Sequence, residues 1–344
     1  MSTAGNDVPL FPDHGPDDDH RTDESLDFHA VAVSVAPLAA AGLVFAVHFG
    51  LPNQQGQHVD PLQAWYPVSV AIVIGVAIAL ALLTWMEQAV RPWCRHYAPL
   101  IAGTLVLVAL WDCLTSKSDW MPLPYFPGPD RVLAAMIKDS DELLWSAGHS
   151  LVLLMSGYTF GVCAGLATGI LIGWYPHVRY WGMPIMKFVG PIPATALIPL
   201  VMTLSRDSFL PATALIGFAV WFPVTMLTSS GIANVRISHL EVAKTLGAGE
   251  GYLIFRVALP SALPNIFVGM FMGLGAAFLT LIVAETVGVQ AGLGYYIKNQ
   301  QGSMTYANMY AALIFMAVVF SALMTLLFTI RDGMLRWQQG VIKW

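Results

Sequence analysis

Residues 238–260 read SHLEVAKTLGAGEGYLIFRVALP, a polar island between long apolar runs. Lipid offers no partners to charges or free backbone groups, so this island must leave the bilayer. Leu240, Val242, Ala243 and Leu246 recur at helical spacing and give a first short helix an apolar face. Gly247-Ala248-Gly249 breaks it, because glycine takes the turn conformations that end helices. Tyr252, Leu253, Phe255, Arg256 and Val257 start a second helix, which Pro260 is expected to stop. The segment is either a compact knob carrying Glu241, Lys244, Glu250 and Arg256 or an ordinary ordered loop.

Composition places the island in a membrane protein. Of the 344 residues, 56% are hydrophobic and 11% charged, against about 25% charged in soluble domains. The net charge of -5 comes from the first 28 residues, which hold eight acids and one base. The remainder has thirteen acids against fifteen bases, and nothing in it suggests nucleic-acid binding. Residues 1–27 cannot bury a core and are expected to form a disordered acidic tail. His14 and His20 beside its Asp run are either a weak metal site or part of a solvated tail, and the acidic start does not fit a signal peptide. Cys94, Cys113 and Cys163 are too scattered for a metal or redox motif.

Eight apolar segments follow, each near the ~20 residues that span a bilayer. They cover about 29–49, 65–86, 98–116, 146–173, 184–204, 210–229, 262–286 and 306–331. The expected fold is therefore an all-α integral membrane protein of about eight transmembrane helices. Pro191, Pro193 and Pro199 interrupt the fifth, which is either a broken helix beside a path or a simple kink. Gly157, Gly161, Gly165, Gly169 and Gly173 lie four apart along the fourth and give it a close-packing face. The outer loop 117–145 carries Trp120, Tyr125 and several prolines, then an amphipathic helix expected over Asp130–Leu144.

Basic residues set the orientation. With the amino terminus and the Glu241 segment inside, eleven Lys and Arg residues lie inside and five outside, Lys117 among the outer ones. Both termini are then cytoplasmic.

Glu241-Val242-Ala243, Gly247 and Val257-Ala258-Leu259-Pro260 resemble the EAA loop of ABC importer permeases, with Val242 and Val257 as mild departures. Three further runs resemble the nitrate/sulfonate/taurine branch of the type I family. These are PYFPGPDRVLAAM at 124–136, GPIPATALIPL at 190–200, and Ala284-Glu285-Thr286 with Gly292-Leu293-Gly294-Tyr295-Tyr296-Ile297. Gly190 stands where that branch's motif has arginine, and Leu204-Ser205-Arg206-Asp207 replaces its W-F-G-I-G. The resemblance covers about 98–344. It implies a six-helix core at 98–344 preceded by two extra helices at 28–97.

The resemblance further implies a bacterial inner-membrane permease subunit. Its implied partners are a cytoplasmic ATPase dimer, a periplasmic or lipid-anchored substrate-binding protein, and a second permease, identical or different. Segment 238–260 would be the coupling loop, with Glu241, Ala243, Lys244, Gly247, Arg256, Leu259 and Pro260 docking the ATPase. The chain lacks a G-x-x-x-x-G-K-[ST] phosphate loop and any assembled catalytic set. It is therefore expected to be no enzyme and to bind no cofactor or metal, with ATP and Mg used by the partner.

Polar residues within spans are candidates for the solute path: Thr195, Thr203, Ser205, Thr225, Ser229, Ser230, Thr280 and Glu285. A serine or threonine there can equally be a packing residue. Glu285 either serves function or holds the glycine-rich turn that follows it. The expected solute is small and anionic, of the nitrate, sulfonate, taurine or bicarbonate kind. The alternative is a secondary transporter or channel, which would favour inverted repeats and buried ionisable residues.

Overall fold

A chain segment crosses lipid only if its backbone bonds to itself, and the apolar runs here do so as helices. The computed structural model describes residues 36–52, 65–86, 91–118, 120–121, 123–204 and 208–336, and every regular element among them is helical. The acidic tail lies outside the described residues. Five helices are long and apolar enough to cross a membrane: Tyr97–Lys117, Ser140–Trp174, Phe209–Ala233, Glu250–Val287 and Tyr306–Met334. Two shorter apolar helices, Ala36–Gly50 and Trp65–Ala79, stand where the first two of the eight spans were expected. The remaining expected span is a bent pair, Pro176–Val189 and Ala194–Thr203, meeting at 82°.

The chain divides into two units, Met1–Ala134 and Ala135–Trp344. The first contains α1 (Ala36–Gly50), α2 (Trp65–Met86) and α3 (Arg91–Asp112), which continues as a π-helical turn over Cys113–Lys117. Thus the span Tyr97–Lys117, expected to open the second part of the chain, falls in the first unit. Val44, Tyr66, Val70 and Ala109 form its apolar core. Beside them, the Lys117 ammonium donates to the carbonyls of His48 (2.6 Å) and Leu51 (2.8 Å). A cation at the carboxyl end of α1 meets carbonyls that have no partner within the helix. Lys117 is thus a buried helix cap and not the loop charge that the sequence suggested. Asp112 is fully buried, with Oδ2 3.1 Å from His48 Nδ1.

Helix α4 (Pro129–Lys138) leads into α5 (Ser140–Trp174), so the amphipathic helix expected over Asp130–Leu144 is split. The split falls at Asp139, whose backbone leaves helical geometry at φ -102 and ψ 21. Its carboxylate accepts from Tyr296 Oη (2.6 Å) and Asn308 Nδ2 (2.5 Å), which fixes the break in place.

The second unit continues with α6 (Pro176–Val189), α7 (Ala194–Leu204), α8 (Phe209–Ala233) and α9 (Ile237–Thr245). A short α10 (Glu250–Tyr252), α11 (Leu259–Val287), α12 (Leu293–Gly302) and α13 (Tyr306–Met334) complete it. Its core joins α5, α8 and α11 through Leu153, Leu154, Ile216, Val220, Val224, Phe267, Leu274 and Leu281.

The five glycines spaced four apart on α5, Gly157 to Gly173, all face α8. A Cβ at Gly157 would lie 2.7 Å from Ile216 Cβ, at Gly161 2.5 Å from the Gly217 carbonyl, and at Gly165 2.7 Å from Val224 Cβ. At Gly169 it would meet Thr228 Cβ at 2.6 Å, and at Gly173 Ile232 Cβ at 2.9 Å. Contacts advance together along both helices, so α5 and α8 run in the same direction. The chain between them must therefore return across the bilayer, which makes the bent pair α6–α7 a crossing and not a re-entrant loop. Helix α11 runs against α8, since Gly231 faces Ala262 whereas Gly273 faces Val220. The end of α5 and the 234–249 segment accordingly share one face of this unit. The start of α5 and the end of α11 share the other.

Replacing Gly161 by alanine presses a methyl group onto backbone of α8. An expected loss of about 1–3 kcal/mol is read as lowered thermal stability in detergent. Gly148→Ala, on the same helix with nothing within 4 Å, should leave stability unchanged.

Candidate functional site

The polar island folds as two pieces with a defined joint. Helix α9 buries none of its residues, and Val242 (61%) and Leu246 (83%) are widely exposed. Leu240 and Ala243 of the same expected apolar face are half-buried, while Glu241 and Lys244 are exposed. The Ala248 amide bonds the Ala243 carbonyl (3.0 Å) and the Gly247 amide bonds that of Lys244 (2.9 Å). These two bonds are the Schellman closure, which needs a left-handed residue after the cap. Gly247 supplies it at φ 83.

Pro260 does not stop the second piece. Glu250 to Val287 is one helical span of 38 residues. A proline ring would clash with the carbonyl four residues back and leaves a bond unmade. The helix absorbs this by widening to a π-helical turn over Leu253–Ala258, directly before Leu259 and Pro260. Leu253, Ile254 and Ala258 are buried and Arg256 is exposed. Trp174 Nε1 donates to Glu250 Oε1 (3.1 Å), tying the end of α5 to the start of this helix.

A second site lies at the bend between α6 and α7. Pro191 and Pro193 have no amide donors and cannot continue the helical ladder, so Gly190 (φ -52, ψ -45) is the last residue in helical geometry before the bend. The bend opens a cavity of about 310 Å³ whose wall includes Gly190, Thr195, Phe218, Phe222, Leu279 and Thr280. Two of the sequence-derived path candidates, Thr195 and Thr280, meet here although they are far apart in the chain. The departure at Gly190 has a physical counterpart. A Cβ there would lie 2.4 Å from Phe222 Cζ, so the aromatic ring occupies the space of a side chain. Neither phenylalanine was singled out from sequence, since an aromatic residue in an apolar span carries no distinguishing signal.

The other candidates lie elsewhere. Thr203 donates to the Leu200 carbonyl along α7. Thr225 is fully buried between α5 and α8, its hydroxyl 2.8 Å from that of Thr168. Ser229 is buried in the same interface and donates to Met226. Ser230 is exposed at the end of α8, 3.4 Å from Asn234 Nδ2. Ser205 lies outside the described residues.

Glu285 closes a latch on the face opposite the polar island. Ser150 Oγ donates to Glu285 Oε1 (2.6 Å) and accepts from the Leu293 amide (2.8 Å). The Gly294 amide donates to Glu285 Oε2 (2.7 Å). Gly292 sits at φ 100, and a Cβ there would overlap the Glu285 carboxylate. Of the two roles considered for Glu285, the geometry matches the holding of the glycine-rich turn. Nearby, burial and then the Asp139 carboxylate push the Tyr296 hydroxyl above its usual pKa. No group of three or more His, Cys, Asp or Glu able to hold a metal occurs among the described residues.

Comparison with known proteins gives the family and the fold. Residues 161–337 match the family described as binding-protein-dependent transport system inner membrane component. The taurine transport system permease protein of Escherichia coli is 29% identical over 215 residues, 60% of this chain and 78% of that protein. The nitrate import permease protein of Leptolyngbya laminosa is 29% identical over 233 residues, 65% of this chain and 83% of that protein. A solved chain of the inward-facing MetNI methionine ABC transporter superposes with TM-score 0.50 at 18% identity, covering 57% of this chain and 98% of that one.

Glu285→Ala leaves the Gly294 amide without its buried acceptor, a penalty of about 1–3 kcal/mol. Amide exchange at Leu293 and Gly294 should accelerate by about tenfold or more, while exchange within α8 stays as it was.

Proposed function

Because this chain belongs to the binding-protein-dependent transport system inner membrane components, in the nitrate/sulfonate/taurine branch of type I ABC importer permeases, we propose that segment 238–260 is its coupling element and the α6–α7 cavity part of its solute path. The observation that carries the coupling role is the knob itself. Val242 and Leu246 are left in solvent on a helix that buries nothing, closed by a rigid turn and joined to α11. Exposed apolar residues on an ordered helix are a docking surface that awaits a partner.

In this reading the partner is a cytoplasmic ATPase dimer, which holds ATP and Mg, and this chain binds neither. Glu241, Ala243, Lys244 and Gly247 meet the ATPase, and Arg256, exposed on the second piece, meets it beside them. Leu259 and Pro260 are half-buried and serve by setting the angle of the second piece. The knob and both termini are then cytoplasmic. A second permease completes the path, and a substrate-binding protein delivers solute at the opposite face, where Glu285 holds the turn. Closure of the ATPases moves the knobs, and the bundle rocks between inward- and outward-open states as rigid bodies. The solute is a small anion. Thr195, Thr280 and the amino end of α7 would hold it, since amides in a helix's first turn lack internal partners.

Two measurements test this. Purification of the chain from its host in mild detergent should bring down an ATPase with a phosphate-loop sequence, and recovery of the chain alone would remove the coupling role. Gly247→Val meets open space but holds a β-branched residue at φ 83, a strain of about 1–2 kcal/mol. The variant should insert normally yet lose ATP-driven uptake while the partner still hydrolyses ATP. Fully coupled uptake in Gly247→Val would count against the assignment.

A further inference from the structure

The first unit gathers ionisable side chains at one end. His48 lies near the end of α1, Tyr66 near the start of α2, and Asp112 and Lys117 at the end of α3 and its π-helical turn, with Asp130 at the start of α4. The His48 ring meets the Tyr66 ring edge-on at 4.6 Å, and its Nδ1 reaches Asp112 Oδ2. The charges of Asp112 and Asp130 both act on Tyr66, and those of Asp112, Arg131 and His48 act on Asp130. A Cβ at Gly128 would overlap Ser116 Oγ and lie 2.6 Å from Asp130 Oδ1, so these two oxygens face one small space.

The bonding at this end does not close. Asp112 Oδ1, Asp130 Oδ1 and Tyr66 Oη are buried atoms without a hydrogen-bond partner. Asp112 is 0% exposed and Tyr66 5% exposed, so bulk solvent does not reach them. Buried polar atoms are ordinarily bonded and buried charges paired, and an exception points to a bound water or ion. Lys117 does not answer these oxygens, because its ammonium donates to the carbonyls of His48 and Leu51. Among the described residues no lysine or arginine pairs with either carboxylate. Water could donate to the free oxygens but would leave their charge uncompensated. Burial above all raises the Asp130 carboxyl over its ordinary pKa, and the Asp112 charge adds to this against the Arg131 amide and the Arg131 and His48 charges. A carboxyl so raised contributes stability at low pH that is lost as pH rises through its folded value.

We propose that this end of the first unit binds one monovalent cation, a sodium ion or a proton, through Asp112 Oδ1, Asp130 Oδ1 and Tyr66 Oη, and that its binding holds α1 to α4 together. A sodium ion takes the oxygens as ligands. A proton sits on one carboxyl and turns an acceptor into a donor for its neighbour. Either supplies the positive charge that the two carboxylates lack. The site lies in the extra helices, before the residues 161–337 that match the permease family, and does not depend on the coupling role of the knob.

The test is amide hydrogen exchange, read by mass spectrometry, on the full chain in lipid nanodiscs. One arm compares sodium chloride with choline chloride at equal ionic strength and about pH 8. The other stays in choline chloride and lowers the pH from about 8 to about 5, with rates corrected for the intrinsic pH dependence of exchange. Exchange in α1–α3 should slow by about threefold or more once the cation exceeds its dissociation constant, while α5 and α8 stay as they were. Slowing by sodium assigns a sodium ion, and slowing by acid alone assigns a proton. Asp112→Asn keeps the shape but not the charge, and should abolish the response. Should that variant not insert, Tyr66→Phe decides, since losing one hydroxyl partner should raise the sodium or proton concentration needed by about threefold. No slowing in either arm, as a site holding water alone would give, or a response unchanged in the variant would overturn the proposal. The readout needs neither ATP nor a partner, so the ATPase co-purification result stands or falls separately.

Discussion

The contact on which the second unit depends is the near-touching of two helix backbones, α5 and α8. Five positions on α5 have no room for even a methyl group, because α8 carbonyls and β-carbons already fill that space. In lipid there is little hydrophobic drive between helices, so close approach and dispersion must supply it. The glycine face also sets direction. Parallel α5 and α8 oblige the intervening chain to cross, and the prolines at 191 and 193 bend that crossing. The cavity lies where that bent crossing meets α8 and α11.

Local features of this fold were legible in the sequence, and distant pairings were not. The knob could be read because a helix, a glycine closure and a restart are written within about a dozen residues. The glycine stripe could be read because its period matches the helix. Pro260 misled, since a stop and a π-helical detour begin with the same residue, and only the packing of Leu253, Ile254 and Ala258 decides between them. Asp139 splits a helix through Tyr296 and Asn308, more than 150 residues away. The Ser150–Glu285 latch spans 135 residues in the same way. Among the hydroxyls proposed for a path, sequence could not separate Thr280 in the cavity from Thr225 in a helix interface. Both are threonines in apolar helices that differ only in which neighbour they face.

The first unit shows the same limit. A charge count treats Lys117 as a loop cation, yet its ammonium ends α1 from within. Burying it is tolerable because two carbonyls at a helix terminus offer both hydrogen bonds and dipole. His48 and Asp112 pair beside it, 64 residues apart. The extra helices therefore carry their own polar anchor, whereas the second unit is held by absent side chains and by carboxylates at its turns.

The helix that begins at Glu250 and ends at Val287 has a mechanical corollary. At about 1.5 Å per residue it is a rod of roughly 57 Å, with the knob at one tip and the Glu285 turn at the other. A tilt of about 5° at such length sweeps the far tip by about 5 Å. A π-helical turn interrupts its regular bonding beside the knob, over Leu253–Ala258. A displacement of the knob tip would thus be felt at the turn that Glu285 clasps.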